Sequence, residues 1–202
     1  MSEEKKAKNS RTQKAQDTKR HIFDAAMRLL QTKLFEDIKV RDIVLEANVS
    51  IGTFYKYYTT KRDVFYATYQ FADDYFENEV LPKLTQETGA ARILAFFESY
   101  AYYSVEISRY ELARVLYHPD NKNFDRGFAY GIPHALYVQV RAAIDGGELD
   151  SALDAEYVTW FMLTATRGLV YNWCTKDAGY DLYKEMSLFA KRLLRAFAPC
   201  PE

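Results

Sequence analysis

The sequence predicts an all-α protein in which a three-helix head is joined by a long helix to a larger helical bundle. The chain of 202 residues holds only 8 Gly and 5 Pro, so few residues interrupt helices. Apolar residues recur at three- and four-residue intervals through most of the chain. No stretch alternates well enough between apolar and polar residues to indicate a strand.

The first helix is predicted to begin after Asp17, a suitable N-cap, and to run to about Lys33. A short helix then follows from Val40 to Ala47. Asn48 stands where the chain must turn sharply, and asparagine tolerates left-handed backbone angles better than other non-glycine residues. Ser50 can cap a second short helix, from Ile51 to Tyr57. Two short helices separated by a tight turn form a helix-turn-helix pattern.

The rest of the chain is predicted to be helical as well. Thr60 can cap a long helix that begins at about Asp63, continues to about Val80 and is stopped by Pro82. Further helices are expected at Ala90–Ser108, Tyr110–Tyr117, Pro133–Asp145, Ala155–Cys174 and Leu182–Phe197.

Charge is unevenly distributed along the chain. Residues 1–62 hold 14 Lys and Arg against 8 Asp and Glu, a net charge of +6, whereas residues 63–202 hold 13 against 20, a net charge of −7. A basic segment of this kind suits a phosphate-rich partner. A disordered basic tail would explain part of the excess, since residues 1–14 alone hold five basic groups.

Several classes of protein are disfavoured. Cys174 and Cys200 lie far apart and give no metal-ligand spacing, and the three histidines have no partners that suggest a metal or a catalytic base. No nucleophile or phosphate-loop motif is present. The polar N-terminus is not a signal peptide, and Tyr157–Trp173 is short for a membrane span. We therefore expect no enzyme, catalytic residue, cofactor, metal or membrane association, and a cytoplasmic location.

The polar side chains of the helix-turn-helix can be assigned to DNA by their chemistry. Short or small residues at the start of the second helix can approach base edges, and basic residues around it can hold phosphates. Tyr55 and Tyr57 could equally be core aromatics, and core packing is favoured for Tyr58. The residues expected to read bases are Ser50, Ile51, Gly52, Thr53 and Tyr55, and those expected to contact phosphates are Lys39, Arg41, Lys56, Tyr57 and Lys61.

Residues 17–65 resemble the DNA-binding domain of the TetR (tetracycline repressor) family. The family's pattern is matched without a gap by Lys39-Val40, Asp42-Ile43, Ala47-Asn48-Val49-Ser50, Gly52-Thr53-Phe54-Tyr55, Tyr57-Tyr58, Lys61 and Val64. Lys39 replaces the usual threonine, Asn48 the usual glycine and Tyr58 the usual phenylalanine. The predicted domains are a disordered basic arm over 1–15, a DNA-binding domain over 16–62, and a regulatory and dimerisation domain over 63–202.

The resemblance implies a homodimer that binds a palindromic operator and pairs through a four-helix bundle. The helix Ala155–Cys174 supports this independently, because it carries more apolar surface than one core face needs, although a fully buried central helix would also explain it. The residues expected at the interface are Ile132, Leu136, Trp160, Thr164, Gly168 and Tyr171.

The resemblance also implies a small-molecule pocket in the body, and aromatic residues are placed to line one. An aromatic pocket suits a largely apolar or aromatic effector, although each ring could instead fill the core. The candidates are Tyr69, Phe97, Tyr100, Tyr103, Tyr110, Tyr117 and Trp173.

The sequence therefore predicts a ligand-responsive DNA-binding repressor. Two alternatives remain: a redox-sensing regulator that acts through Cys174, and a helical ligand-binding dimer that does not bind DNA.

Overall fold

The computed structural model describes residues 3–117 and 127–199. These residues form ten α-helices and no strand, which confirms the predicted all-α class. The chain divides into two compact units, Met1–Thr68 and Tyr69–Glu202. The boundary follows residue 68 rather than residue 62, because the helix that begins at Lys61 packs against the first helix of the amino-terminal unit.

The amino-terminal unit contains four helices: α1 (Glu3–Leu30), α2 (Val40–Glu46), α3 (Ile51–Tyr57) and α4 (Lys61–Tyr66). Their apolar faces form a small core. Phe54 of α3 and Phe65 of α4 are fully buried in it, and Arg28 on α1 forms a 2.8 Å ion pair with Glu46 on α2. The other fully buried residues of this core include Ile22, Ala25, Ala26, Ile38, Ile43 and Val64.

Helix α1 begins much earlier than the sequence analysis predicts. Asp17 lies inside the helix instead of capping it, and residues 3–15 are helical where a disordered arm was expected. The reason is composition, because this stretch is rich in good helix formers and contains neither Gly nor Pro. Gln13 also donates to the carboxylate of Asp17, one turn later, at 3.0 Å. Residues 1 and 2 of the predicted arm lie outside the described residues.

The described residues of the carboxy-terminal unit form six α-helices. The predicted long helix from Asp63 to Val80 is divided at Ala67: α5 follows it, then a π-helical turn (Phe76–Val80) and a 3-10 turn (Leu81–Lys83) that contains Pro82. A second π-helical turn (Tyr103–Ile107) ends α6. The helices are α5 (Thr68–Tyr75), α6 (Gly89–Tyr102), α7 (Arg109–Leu116), α8 (Gly131–Asp145), α9 (Ala155–Thr175) and α10 (Leu182–Ala196).

Helix α6 lies at the centre of this unit, with α8 and α10 packed against it and α9 packed against both. The core is aromatic where the two π-helical turns meet. The ring centroid of Phe76 lies 5.3 Å from that of Phe96 and 5.8 Å from those of Tyr100 and Tyr103. Such contacts add to the free energy gained from burial alone.

The first turn of α8 is held by two carboxylates from the α5 segment, which comprises α5 and the π-helical and 3-10 turns that follow it. Asp73, which is buried, accepts a hydrogen bond from the backbone N–H of Ile132 at 3.1 Å, and Glu77 accepts one from that of Gly131 at 3.0 Å. His134 Nδ1 lies 2.9 Å from Glu77. The carboxylates thus satisfy N–H groups that a helix start leaves without partners, at the positive end of its dipole. Gly131 has a φ of 76°, and a Cβ there would overlap the carboxylate of Asp73.

We expect Gly131→Ala to destabilise the carboxy-terminal unit far more than Gly147→Ala. Both glycines have a left-handed φ, of 76° and 72°, so each substitution has a backbone cost of about 1–2 kcal/mol. Only Gly131→Ala also displaces a buried carboxylate, which should bring its total to about 3 kcal/mol or more. Urea denaturation followed by far-UV circular dichroism measures both. Equal losses in the two variants would contradict the role given to Asp73.

Candidate nucleic-acid interface

The turn between α2 and α3 has the geometry that the sequence predicts. Asn48 adopts a φ of 49°, in the left-handed region, which confirms its place at the sharp turn. Ser50 is the N-cap of α3, and its hydroxyl accepts a hydrogen bond from the backbone N–H of Thr53 at 3.0 Å. The same hydroxyl lies 2.8 Å from that of Thr53. The turn after α2 and the start of α3 are therefore formed by residues suited to those positions.

Helix α3 buries one side and exposes the other. Phe54 is fully buried, and Tyr58, just past the helix end, is 5% exposed and donates to the carbonyl oxygen of Lys19 at 3.1 Å. Burial, and secondarily the charge of Asp24, raises the pKa of Tyr58 to about 12. Tyr58 therefore packs in the core, as the sequence predicts.

The opposite side of α3 brings together the residues predicted to read bases. Ile51 is 56% exposed and Tyr55 is 54% exposed, so Tyr55 is not a core aromatic. Gly52 is exposed, and Thr53 is half-buried. A Cβ at Gly52 would meet only the Ser50 hydroxyl, at 3.8 Å, so the fold itself does not require glycine there. A small residue at this point leaves room for another surface to approach closely.

Of the residues predicted to contact phosphates, some have side chains open to solvent, whereas Lys61 is hydrogen-bonded within the protein. Lys39, Arg41 and Lys56 are exposed, and Tyr57 is half-buried with the ammonium of Lys56 5.6 Å from its ring centre. Lys39 is the N-cap of α2, but its side chain cannot accept a hydrogen bond. Only half of a capping box remains there: the backbone N–H of Lys39 donates to Asp42 at 2.9 Å.

Lys61 is committed to the protein, and its predicted phosphate contact is therefore corrected. Its ammonium donates to the carbonyl oxygens of Phe35 and Ile38, both at 2.6 Å, and lies 4.1 Å from the ring centre of Phe35. Burial lowers the pKa of Lys61 from its usual value. The ammonium holds the α1–α2 connection against the start of α4. Sequence reasoning missed this because the acceptors are backbone carbonyls more than twenty residues earlier.

Five of the seven aromatic residues predicted to line a pocket are buried in the carboxy-terminal unit, and the other two, Tyr110 and Tyr117, are half-buried. Tyr69, Phe97, Tyr100, Tyr103 and Trp173 are all at most 8% exposed. Most of the phenol groups have hydrogen-bond partners within the fold.

Tyr69 donates to the carbonyl of Leu116 at 3.2 Å, the hydroxyls of Tyr100 and Tyr117 lie 2.7 Å apart, and Tyr110 donates to Asp177 at 2.6 Å. None of the seven predicted pocket residues lines the described cavity of about 700 Å³, which lies beside Tyr75, Tyr102 and Tyr183. The sequence could not separate core from cavity because both are aromatic.

The predicted dimer residues also divide. Ile132 is 6% exposed and Leu136 is fully buried, so both belong to the protomer's own core and cannot form an interface. The other four lie exposed along one side of α9: Trp160, Thr164, Gly168 and Tyr171. Tyr157 and Phe161 extend the same exposed stripe, as their helical spacing from Trp160 and Thr164 requires.

Cys174 is poorly suited to redox sensing. Its side chain is buried, and burial raises the pKa of the thiol to about 12, so the reactive thiolate is scarce at neutral pH. Cys200 lies outside the described residues. Over residues 3–117 and 127–199, no group of His, Cys, Asp and Glu could hold a metal ion, and no helix is both long and apolar enough to span a membrane.

Comparison with protein families gives a match for the amino-terminal unit. Residues 22–68 match the family model described as "Bacterial regulatory proteins, tetR family", and this segment contains α2, α3 and α4. Over most of its length the chain is similar to the "Probable acrEF/envCD operon repressor" of Escherichia coli K12. The two are 26% identical over 203 residues, which cover 90% of this chain and 87% of the relative.

Solved structures share the fold of most of the chain. FadR from Thermus thermophilus, a TetR-family transcriptional repressor solved with lauroyl-CoA, superposes with a TM-score of 0.71 at 22% identity, covering 91% of this chain and 99% of FadR. RolR, solved with resorcinol, gives a TM-score of 0.60 at 18% identity, covering 92% of this chain and 90% of RolR. Helical regulators thus share both the head and the body of this architecture.

We expect Lys61→Met to destabilise the amino-terminal unit and Lys56→Met to leave it unchanged. Methionine keeps an unbranched stem at Lys61 but leaves two carbonyl oxygens without their charged donor, which should cost about 2 kcal/mol. Lys56 is exposed, so its substitution should change the free energy of unfolding by no more than about 0.5 kcal/mol. Urea midpoints of the two variants measure the difference, and a wild-type midpoint for Lys61→Met would refute the structural role given to the Lys61 ammonium.

Proposed function

Because residues 22–68 match the TetR family of bacterial regulatory proteins, we propose that the chain is a homodimeric repressor that a small effector releases from a palindromic operator. The observation that carries the proposal is the division of α3. One side is locked into the core by Phe54, and the other presents Ile51, Gly52 and Tyr55 with Lys56 beside them.

The exposed side of α3 suits the major groove of DNA. That groove is about 12 Å wide and admits an α-helix. Gly52 has no side chain and that of Thr53 is short, so the backbone at the start of α3 can approach base edges closely. Tyr55 and Ile51 supply apolar contact of the kind that thymine methyl groups accept, and the Thr53 hydroxyl can exchange hydrogen bonds with a base.

Phosphate contacts are assigned to groups whose charge the protein does not use. Lys39, Arg41 and Lys56 are exposed, and Tyr57 lies beside Lys56. These contacts fix the register of α3 and make affinity depend on salt, whereas sequence choice rests on the base contacts. Lys61 acts indirectly, since it holds the α1–α2 connection to the start of α4.

Dimerisation is assigned to the exposed side of α9. The stripe from Tyr157 through Trp160, Phe161 and Tyr171 is aromatic, and Gly168 has no atom within 4 Å of where a Cβ would lie. A small residue such as Gly168 lets a second helix approach closely, and the exposed aromatic side chains around it supply apolar surface to bury. A two-fold dimer places its recognition helices on successive turns of DNA and thus favours a palindromic operator.

The effector is proposed to be small and largely apolar or aromatic. Similar folds have been solved with lauroyl-CoA and with resorcinol, and the body of this chain is rich in buried tyrosine and phenylalanine. Release from DNA requires that the effector bind more tightly to a conformation with low operator affinity, since equal affinity for both conformations shifts nothing.

The two alternatives have less support. A thiol sensor at Cys174 is opposed by the high pKa and burial of that thiol. A ligand-binding dimer without DNA binding is opposed by the exposed side of α3, where apolar side chains face solvent although the fold does not need them there.

We expect the protein to retard DNA from upstream of its own gene in a gel-shift assay, and Lys56→Ala to weaken that binding on every sequence. The loss of one phosphate contact should reduce the slope of log affinity against log salt by about 1. Thr53→Ala should instead weaken binding to the operator more than to unrelated DNA, because only base contacts discriminate between sequences. Unchanged binding in both variants would contradict the assignment of α3.

We expect Trp160→Glu to convert the dimer to a monomer. Trp160 is 52% exposed in the protomer, so the substitution should spare the fold while it places a charge in an apolar interface. Size-exclusion chromatography with light scattering measures the mass, and circular dichroism checks the fold. The matched control is Leu45→Glu, which places the same charge at an exposed apolar residue of α2. A folded Trp160→Glu variant that remains dimeric would exclude the α9 interface.

A further inference from the structure

A groove of about 700 Å³ opens on the carboxy-terminal unit between the α5 segment, α6 and the start of α10. Its floor is apolar and includes Val80 and Leu84, both of them buried. Three tyrosines line it, one from each segment: Tyr75, Tyr102 and Tyr183. Tyr102 is 47% exposed and Tyr183 is 39% exposed, so both rings are open to a ligand.

Most of the charged groups at the groove are occupied by neighbours. Glu79 and Lys83 form an ion pair at 3.1 Å. Asp181 is the N-cap of α10 and accepts a hydrogen bond from the backbone N–H of Lys184 at 3.1 Å. The phenol of Tyr183 donates to Glu106 at 3.1 Å, which fixes the orientation of that ring.

Glu98 is the exception among the carboxylates of the lining. It is exposed on α6, one turn before Tyr102, and it forms no hydrogen bond or ion pair with any residue of the described parts of the chain. With the ammonium of Lys184 counted, the ionised residues of the lining carry a net charge of −1. The groove therefore combines open aromatic rings, an apolar floor and one carboxylate, that of Glu98, which has no hydrogen-bond or ion-pair partner among the described residues.

We propose that this groove binds an aromatic ammonium cation, with Glu98 as its counter-ion and the rings of Tyr75 and Tyr102 against its charged group. The face of a tyrosine ring attracts a cation, and a quaternary ammonium is the group that aromatic sites recognise best. The aryl part of the ligand lies on Val80 and Leu84, where it gains from apolar burial. The net charge of −1 disfavours an anion, and a neutral ligand gains only the apolar contact with Val80 and Leu84.

The test is isothermal titration calorimetry of the full chain, without DNA, with benzyltrimethylammonium as the probe and benzyl alcohol as the neutral comparison. We expect the cation to bind at least about 10-fold more tightly than the alcohol, the size of a partly desolvated cation–π contact. Glu98→Gln and Tyr102→Leu should each weaken the cation by about 3- to 10-fold and leave the alcohol unchanged. Because the readout is direct binding, it is independent of whether the protein binds an operator.

The matched control is Glu156→Gln, which removes the same charge from an exposed site in the first turn of α9, outside the groove. It should leave the affinity for the cation at the wild-type value. Equal affinity for the cation and the alcohol, no binding of the cation at millimolar concentration, or an equal effect of Glu98→Gln and Glu156→Gln would each overturn the proposal.

Discussion

The ammonium of Lys61 bonds to the carbonyl oxygens of Phe35 and Ile38, and the geometry of the amino-terminal unit depends on this contact. The segment between α1 and α2 has no helix of its own to satisfy those carbonyls. A charged donor is the strongest partner available to them, and it fixes the entry to α2. Because α3 follows α2 after a tight turn, the position of the exposed side of α3 is set in turn. The charge of Lys61, which the sequence assigns to a phosphate contact, is thereby used to position the residues on the exposed side of α3.

The sequence predicts those parts of the structure that depend on contacts between residues close together in the chain. The chemistry of turns and helix caps predicts the roles of Asn48, Ser50 and Thr60. Helical spacing predicts the burial of Phe54 and Tyr58. Lys61, Ile132 and Leu136 were assigned wrongly because their surroundings come from distant segments. A lysine at a helix start looks the same in sequence whether it meets a phosphate or a carbonyl oxygen. Likewise, apolar residues on α8 look the same whether they face their own core or a second protomer.

The carboxy-terminal unit places its polar groups where helices begin. Asp73 and Glu77 receive the first N–H groups of α8, and Asp181 and Asp154 cap α10 and α9. Since these carboxylates are used within the fold, the chemistry that remains open to a ligand is narrow. It consists of aromatic rings, apolar floors and a few carboxylates such as Glu98. Both the proposed effector and the proposed cation follow from what the helix starts leave unused.

The exposed aromatic stripe of α9 also bears on the abundance of the protein in a cell. With this stripe as the dimer interface, only paired protomers can span both halves of an operator, and pairing follows mass action. While monomers predominate, the amount of dimer rises as the square of the amount of chain. Halving synthesis would then remove about three quarters of the binding-competent species. A helix surface would in this way convert small changes in expression into steep changes in gene control.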